Sequence, residues 1–161
     1  MNFIENTENR KFTKDSIIGL ASDHSGYQAK ELMKQILDEQ KIIYIDYGCH
    51  SLDSCDYFEF VSSLCQDIKN NYIFYGFCFC RTGQGVNICA NKHEHIISAL
   101  VYNDFAAQMA VEHNGANVFC FPALETKKSI LEKQIHIILI SNFEGGRFSR
   151  RLRKMYQFIK L

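Results

Sequence analysis

Short apolar runs alternate along the chain with segments whose apolar positions recur every three or four residues. Residues 16–21 (SIIGLA) predict a first strand. After it, Ala29, Leu32, Met33, Ile36 and Leu37 keep the i, i+3, i+4, i+7, i+8 spacing of an amphipathic helix. Residues 42–46 (IIYID) predict a second strand, and Phe60, Val61, Leu64, Cys65 and Ile68 mark a second helical face. Residues 72–79 (YIFYGFCF) are almost continuously apolar, as a parallel strand covered on both faces requires. A glycine-bearing turn at 80–85 leads into a short helix through Asn91. Residues 96–101 predict a fourth strand, followed by a helix carrying Phe105, Met109 and Ala110 that Asp104 can cap. Residues 117–121 predict a fifth strand, followed by Pro122 and a helix near 126–140. Beyond Gly145-Gly146 a basic helix runs towards Leu161, with Leu152, Met155, Phe158 and Ile159 available to pack.

Five successive β/α units predict an α/β fold: a three-layer α/β/α, Rossmann-like sandwich around a five-stranded parallel sheet. Ligands of such sheets bind outside the carboxyl ends of the strands. That rule puts Asp23-His24, residues 48–57, 80–85 and 102–104, and Pro122 on the functional rim. A length of 161 residues suits one core. Residues 15–161 therefore read as a single domain ending in the basic helix, and residues 1–14 (MNFIENTENRKFTK) as a polar extension.

Lys+Arg and Asp+Glu balance at 18 each. This removes any global electrostatic case for nucleic acid or an anionic membrane, so an anion site must be local. The N-terminal stretch has no apolar signal-like core. The apolar runs fall far short of the ~18 residues that span a bilayer. The expected location is the cytoplasm, with neither membrane nor nucleic acid as partner.

Seven cysteines, at 49, 55, 65, 78, 80, 89 and 120, sit largely in apolar stretches, where Cys behaves as a small hydrophobe. No disulfide framework is expected. Cys78-x-Cys80 and His93-x-His95 are spaced too tightly for tetrahedral zinc, so no metal is expected. Two places carry chemistry. Asp23-His24 at the first strand's end can bind sugar hydroxyls or phosphate; equally, Asp23 or Ser22 can cap the next helix. Cys80-Arg81-Thr82-Gly83-Gln84-Gly85 puts a thiol just before a glycine turn whose N–H groups can converge on an anion. The turn is neither a Walker A loop nor a GxGxxG fingerprint. Aimed at an enediolate, its N–H groups would stabilise developing charge while the thiolate moves a proton between adjacent carbons. Arg81 and the helix N-terminus both favour the thiolate. The plainer alternative is a buried Cys beside a structural turn.

The segments SDHSGY, DSCDY, CRTGQGVNICANK, EHNGANV and FEGGRFSRR occur in the order and approximate spacing of the ribose-5-phosphate isomerase B family. That family includes the galactose-6-phosphate isomerase subunits, and this chain resembles it from residue 17 to about residue 153. The resemblance implies an aldose–ketose isomerase of the pentose phosphate pathway. It would interconvert ribose 5-phosphate and ribulose 5-phosphate through a cis-enediolate, with neither metal nor cofactor. It gives Cys80 the proton shuttle, Thr82 an assisting role, and the backbone of 81–85, with Gly83 and Gly85, an anion hole. His113 matches the ring-opening histidine and Asn114 a sugar ligand. Asp23, His24 and Tyr57 match sugar- and phosphate-contacting positions, and Arg147 and Arg151 match phosphate ligands. The family further implies a homodimer or homotetramer with sites at the subunit interface.

Elementary chemistry fits these roles. A furanose must open before its carbonyl can acidify the neighbouring C–H, which suits a His titrating near neutrality. Arg forks grip a phosphate dianion well, and Arg147 and Arg151, four apart, share one helix face. The plainer readings are a helix-end charge for His113 and a solvated basic face for Arg150, Arg153 and Lys154. The chain departs from the family pattern at Arg81 (usually Gly), at Pro122-Ala123-Leu124 (usually Gly-Gly/Ala-Arg), at Phe148 (usually His) and at Phe58 (usually Pro). Arg81 on this account replaces the cation lost at Leu124. Two other readings follow from the departures: a hexose-phosphate isomerase of the galactose-6-phosphate or allose-6-phosphate type, and a catalytically weakened sugar-phosphate-binding paralogue.

Overall fold

The computed structural model describes residues 3–124 and 126–159. In chain order they form α1 (Phe3–Asn9), β1 (Ile18–Ser22), α2 (Tyr27–Glu39), β2 (Tyr44–Gly48), α3 (Phe58–Lys69) and β3 (Tyr75–Cys80). There follow α4 (Gln84–Ala90), β4 (Ser98–Leu100), α5 (Asp104–Glu112), β5 (Val118–Pro122), α6 (Lys128–Ile140) and α7 (Arg147–Ile159).

Alternate residues of the inner strands differ in bulk, and the period of two sorts them onto unlike faces. Ile18, Leu20, Tyr75, Phe77, Phe79, Phe119 and Phe121 share one face, closed by α2, α5 and α6. Phe79 stacks on Phe121 with ring centroids 5.3 Å apart, and Phe77 meets Phe119 edge-on at 5.8 Å. Burial of each such ring stabilises the fold by about 1.5–3 kcal/mol. Ala21, Cys78, Cys80, Val118 and Cys120 take the other face, under α3 and α4. Small side chains let these helices come close: a Cβ on Gly76 would lie 2.5 Å from Leu64 of α3. Most cysteines are filler of this thin layer. Burial pushes the Cys65 thiol up to about 12, and a bond to Cys120 together with burial raises that of Cys78.

The sheet is wholly parallel, in the order β2-β1-β3-β5-β4. This is the three-layer α/β/α sandwich that the pattern predicts. The chain runs outward from β1 to β2, then crosses back to β3 on β1's other side. The loops that leave β1 and β3 thus part around one crevice at the carboxyl end, where open sheets bind ligands. Every strand begins later than the apolar runs suggest: β1 at Ile18 rather than 16, β2 at Tyr44 rather than 42, β3 at Tyr75 rather than 72. The early residues are already bonded across the sheet, as in Phe74 N–H to Ile17 O at 2.8 Å and Ile18 N–H to Ile43 O at 3.0 Å. They close the amino end of the core without joining a regular ladder.

Other expectations are corrected. Asn103, not Asp104, caps α5: its side-chain oxygen accepts from Ala106 N–H at 2.7 Å, and Asp104 is the first helical residue. Phe105 is exposed, and Ala107, Ala110 and Val111 form the buried stripe. On α7, Leu152 and Phe148 pack inward whereas Met155 and Phe158 are exposed. The Ile159 side chain, Lys160 and Leu161 lie outside the described residues. The polar N-terminal segment forms a helix with Ile4 and Thr7 buried, and Glu8 pairs with Arg153 of α7 at 2.9 Å. No helix among the described residues is long and apolar enough to cross a membrane.

Candidate active site

Cys80 is the last residue of β3, a strand buried along its whole length, and its own exposure is 5%. Its carbonyl accepts from Ala123 N–H at 3.0 Å and Gly83 N–H at 3.3 Å, so the chain folds back over it. Gly83 makes the turn with φ +73, and a Cβ there would meet Leu100 at 2.5 Å and the backbone of Phe121 at 3.0 Å. Within the turn, Arg81 N–H donates to Ser25 Oγ at 2.9 Å and Gln84 N–H reaches Thr82 Oγ1 at 3.4 Å. The amides of Thr82 and Gly85 have no partner among the described residues. The nest therefore offers these two N–H groups beside the exposed Thr82 hydroxyl. Arg81 is exposed, with no ion pair among the described residues, and its carbonyl accepts from Leu124 N–H at 3.2 Å.

The loop after β1 faces this turn. Asp23 Oδ1 accepts from Ser25 Oγ–H at 2.6 Å and Gly26 N–H at 2.8 Å, so Asp23 does shape the entry to α2. His24 Nδ1 lies 3.2 Å from the Cys55 carbonyl oxygen and 3.3 Å from the Cys55 nitrogen, and Nε2 takes no partner among the described residues. Tyr57 crosses above Gly85: its hydroxyl lies 2.9 Å from where a Gly85 Cβ would stand. Burial, with Cys89 next, raises the Tyr57 phenol above its ordinary value, so it stays a neutral donor at physiological pH. Asp23, His24, Tyr57, Cys80, Arg81, Thr82, Gly83 and Gly85 are thus gathered at one rim.

His113, Asn114, Arg147 and Arg151 stand elsewhere. Helix α5 starts at the carboxyl rim and runs back antiparallel to the strands. His113, its C-terminal cap residue, therefore lies at the sheet's amino end, with exposed Asn114 beside it. The imidazole stacks on Phe148 at 4.1 Å between centroids and an interplanar angle of 17°, and His113 Nε2 lies 3.8 Å from Glu144. The guanidiniums of Arg147 and Arg151 lie 4.7 Å and 5.6 Å from the same Phe148 ring, which confirms their common helix face. One chain thus carries two groups of polar residues at opposite ends of its sheet. Two organisers escaped the motif reading. Ser25 lies inside SDHSGY but was given no role there, and Phe148, read only as a departure, is the ring on which His113 and both arginines converge. Among the described residues, no cluster of three or more His, Cys, Asp or Glu could hold a metal ion.

Comparison with known proteins identifies the family. A family model described as Ribose/Galactose Isomerase matches residues 18–155. A Mycoplasma pneumoniae protein named "Probable ribose-5-phosphate isomerase B" is 37% identical over 145 residues, covering 88% of this chain and 93% of its own length. A solved ribose 5-phosphate isomerase of Thermotoga maritima superposes with a TM-score of 0.84 at 33% identity, over 87% of this chain and 97% of that one. Ribose-5-phosphate isomerase B of Mycoplasma genitalium, solved with bound ribulose-5-phosphate, gives a TM-score of 0.85 at 32% identity, over 92% and 99%. With the family match running from β1 into α7 and the fold shared across nearly the whole of these relatives, the chain belongs to the ribose/galactose isomerase family.

Proposed function

We propose that this chain is a ribose-5-phosphate isomerase whose working site joins the carboxyl rim of one copy to the amino-end cluster of a second. The observation that carries the chemistry is a thiol ending a fully buried strand, just ahead of a turn with two unpartnered amides, where the sheet order reverses. The second copy follows from the separation of Cys80 and His113 at opposite ends of the sheet.

His113 of the second copy moves a proton that opens the furanose, and Asn114 binds a sugar hydroxyl. The Cys80 thiolate then takes the proton from C2 of the open aldose. The electron pair forms a C1–C2 double bond, and charge grows on the carbonyl oxygen. The Thr82 and Gly85 amides and the Thr82 hydroxyl stabilise that charge. Cys80 returns the proton to C1 while the hydroxyl proton passes from O2 to O1, leaving a ketose. Asp23, His24 and Tyr57 hold hydroxyl groups. Arg147 and Arg151 of the second copy hold the phosphate, with Arg81 at the rim making good the cation missing at Leu124 beside it. No step calls on a metal or cofactor. We assign the isomerase unit to residues 15–161, with 1–14 as an addition, and the enzyme to the pentose phosphate pathway in the cytoplasm, working as a homodimer.

In an assay coupled to ribulose 5-phosphate formation, Cys80→Ala should lower kcat about a thousandfold, in the range general acid–base catalysis supplies. His113→Ala should lower it about a hundredfold. Mixing and refolding the two variants together should restore activity that neither has alone. A folded wild-type chain that turns over neither ribose 5-phosphate nor allose 6-phosphate would reject the isomerase reading. Failure of mixing alone would reject the shared site.

A further inference from the structure

A sizeable cavity lies at the opposite end of the sheet from Cys80. It measures about 750 Å³ and forms where Ile17, Phe74 and Asn117, each just ahead of a strand, meet the N-terminal segment. Its walls include Asn6, Thr7, Asn9, Arg10, Asp15 and Ser16, which precede residue 18, where the family match begins.

Arg10 is the unusual group on this wall. Its guanidinium lies 4.4 Å from the Phe74 ring centroid and 5.3 Å from that of Tyr75, and it donates to the Phe74 carbonyl. Among the described residues no carboxylate pairs with it. Burial lowers its pKa to about 10. A guanidinium has five N–H donors in a planar fork, and one carbonyl uses only a fraction of them. A half-buried cation without a counter-charge is costly, and a bound anion reduces that cost. The surroundings suit more than a bare ion. The side-chain amides of Asn6 and Asn71 line the cavity without partners among the described residues, and the half-exposed ring of Tyr72 offers a stacking face. Asp15 is the lining's single carboxylate and is exposed; Lys69, also on the lining, reaches Glu94 at 3.1 Å.

We propose that this cavity is a second ligand site, taking a nucleoside monophosphate with its phosphate on the Arg10 fork, its base on Tyr72 and its polar edges on Asn6 and Asn71. A fork-shaped cation matches phosphate geometry. The cavity volume lies within the range of small-molecule sites and far exceeds what inorganic phosphate fills. The site shares no residue with the isomerase machinery, so it stands whether or not that reading holds.

The test uses the full chain labelled with ¹⁵N, titrated with AMP and separately with inorganic phosphate. The Arg10 Nε–Hε resonance, assigned by its loss in Arg10→Lys, reports the site directly. Saturable movement of that resonance is expected, with AMP binding at least tenfold more tightly than phosphate. Tyr72→Ala should weaken AMP about tenfold and leave phosphate within twofold; Tyr72 is half exposed, so that variant keeps the fold. Arg10→Lys should weaken both. An Arg10 resonance unmoved by about 10 mM of either probe would overturn the site. Equal binding of AMP and phosphate, or AMP binding indifferent to Tyr72→Ala, would overturn its assignment to a nucleotide.

Discussion

Ser25 ties together two loops that are 56 residues apart in sequence: it accepts from the Arg81 amide at 2.9 Å and donates to Asp23 at 2.6 Å. The bond fixes the first peptide after Cys80 and so aims the Thr82 and Gly85 amides. Ser25 touches no reacting atom, which makes it a positioning residue. Ser25→Ala should lower kcat about tenfold while KM stays within twofold, because misplaced donors weaken transition-state contacts more than ground-state binding. Ser25→Thr should restore most of the loss. A drop in melting temperature with unchanged kcat would show that the bond serves stability alone. In the sequence Ser25 is merely the neighbour of Asp23-His24, and Arg81 merely a missing glycine. Their contact exists because β1 and β3 are adjacent, a spatial fact that spacing does not carry. The turn around them was legible as a thiol, a threonine and two glycines at a strand end, but those residues alone fit a buried Cys beside a structural turn equally well; the resemblance of the other motifs is what pointed to chemistry.

At the scale of elements, periodicity located every one of the five strands and the helices after them, because burial enforces periods of two and 3.6 directly. Boundaries moved where hydrogen bonding and apolarity part company. The start of α5 shows this: Asp104 precedes the helical apolar positions, but the extended backbone of Asn103 (φ −163, ψ 176) lets its side chain reach the Ala106 amide. Asn103→Ala should therefore cost about 1 kcal/mol, the usual loss of an N-cap. Asp104→Ala removes only a first-turn charge and an exposed pairing with Lys133, and should cost less than half as much. Urea unfolding of both variants decides, and a larger loss at Asp104 would return the cap to that residue. Helix α7 illustrates the opposite case. Its apolar positions pointed towards a packed stripe through Met155 and Phe158, yet the inward side carries Phe148, Ser149 and Leu152, with half-buried Tyr156 after them, while Met155 and Phe158 face solvent. Which side of a terminal helix meets the body depends on where the preceding glycines aim it.

For the molecule as a whole, alkaline stability follows from groups that the fold keeps protonated. Burial raises Cys65 from 9.0 to about 12 and Tyr156 from 10.0 to about 12. Between pH 9 and 12 the folded state thus binds more protons than the unfolded chain, and stability falls as pH rises through that window. Arg10 acts in the opposite sense, since burial lowers its folded value to about 10, below the ordinary arginine range, so its contribution grows above pH 10. Tyr75 and Tyr44, also raised by burial, add to the first group. The urea midpoint should therefore decline from pH 9 to 12, and a rising midpoint would contradict these assignments. The separation of Cys80 from His113 has a statistical consequence at the same scale. In the two-fold pair proposed above, each chain would lend its rim to one pocket and its amino-end cluster to the other, so every association event would complete two pockets together. A mixed pair of Cys80→Ala and His113→Ala chains then holds one pocket with both defects and one with none. Random pairing of equal amounts makes half of all dimers mixed, so recovered turnover should level off at about a quarter of the wild-type value. That ceiling is set by counting, whatever the strength of the subunit contact.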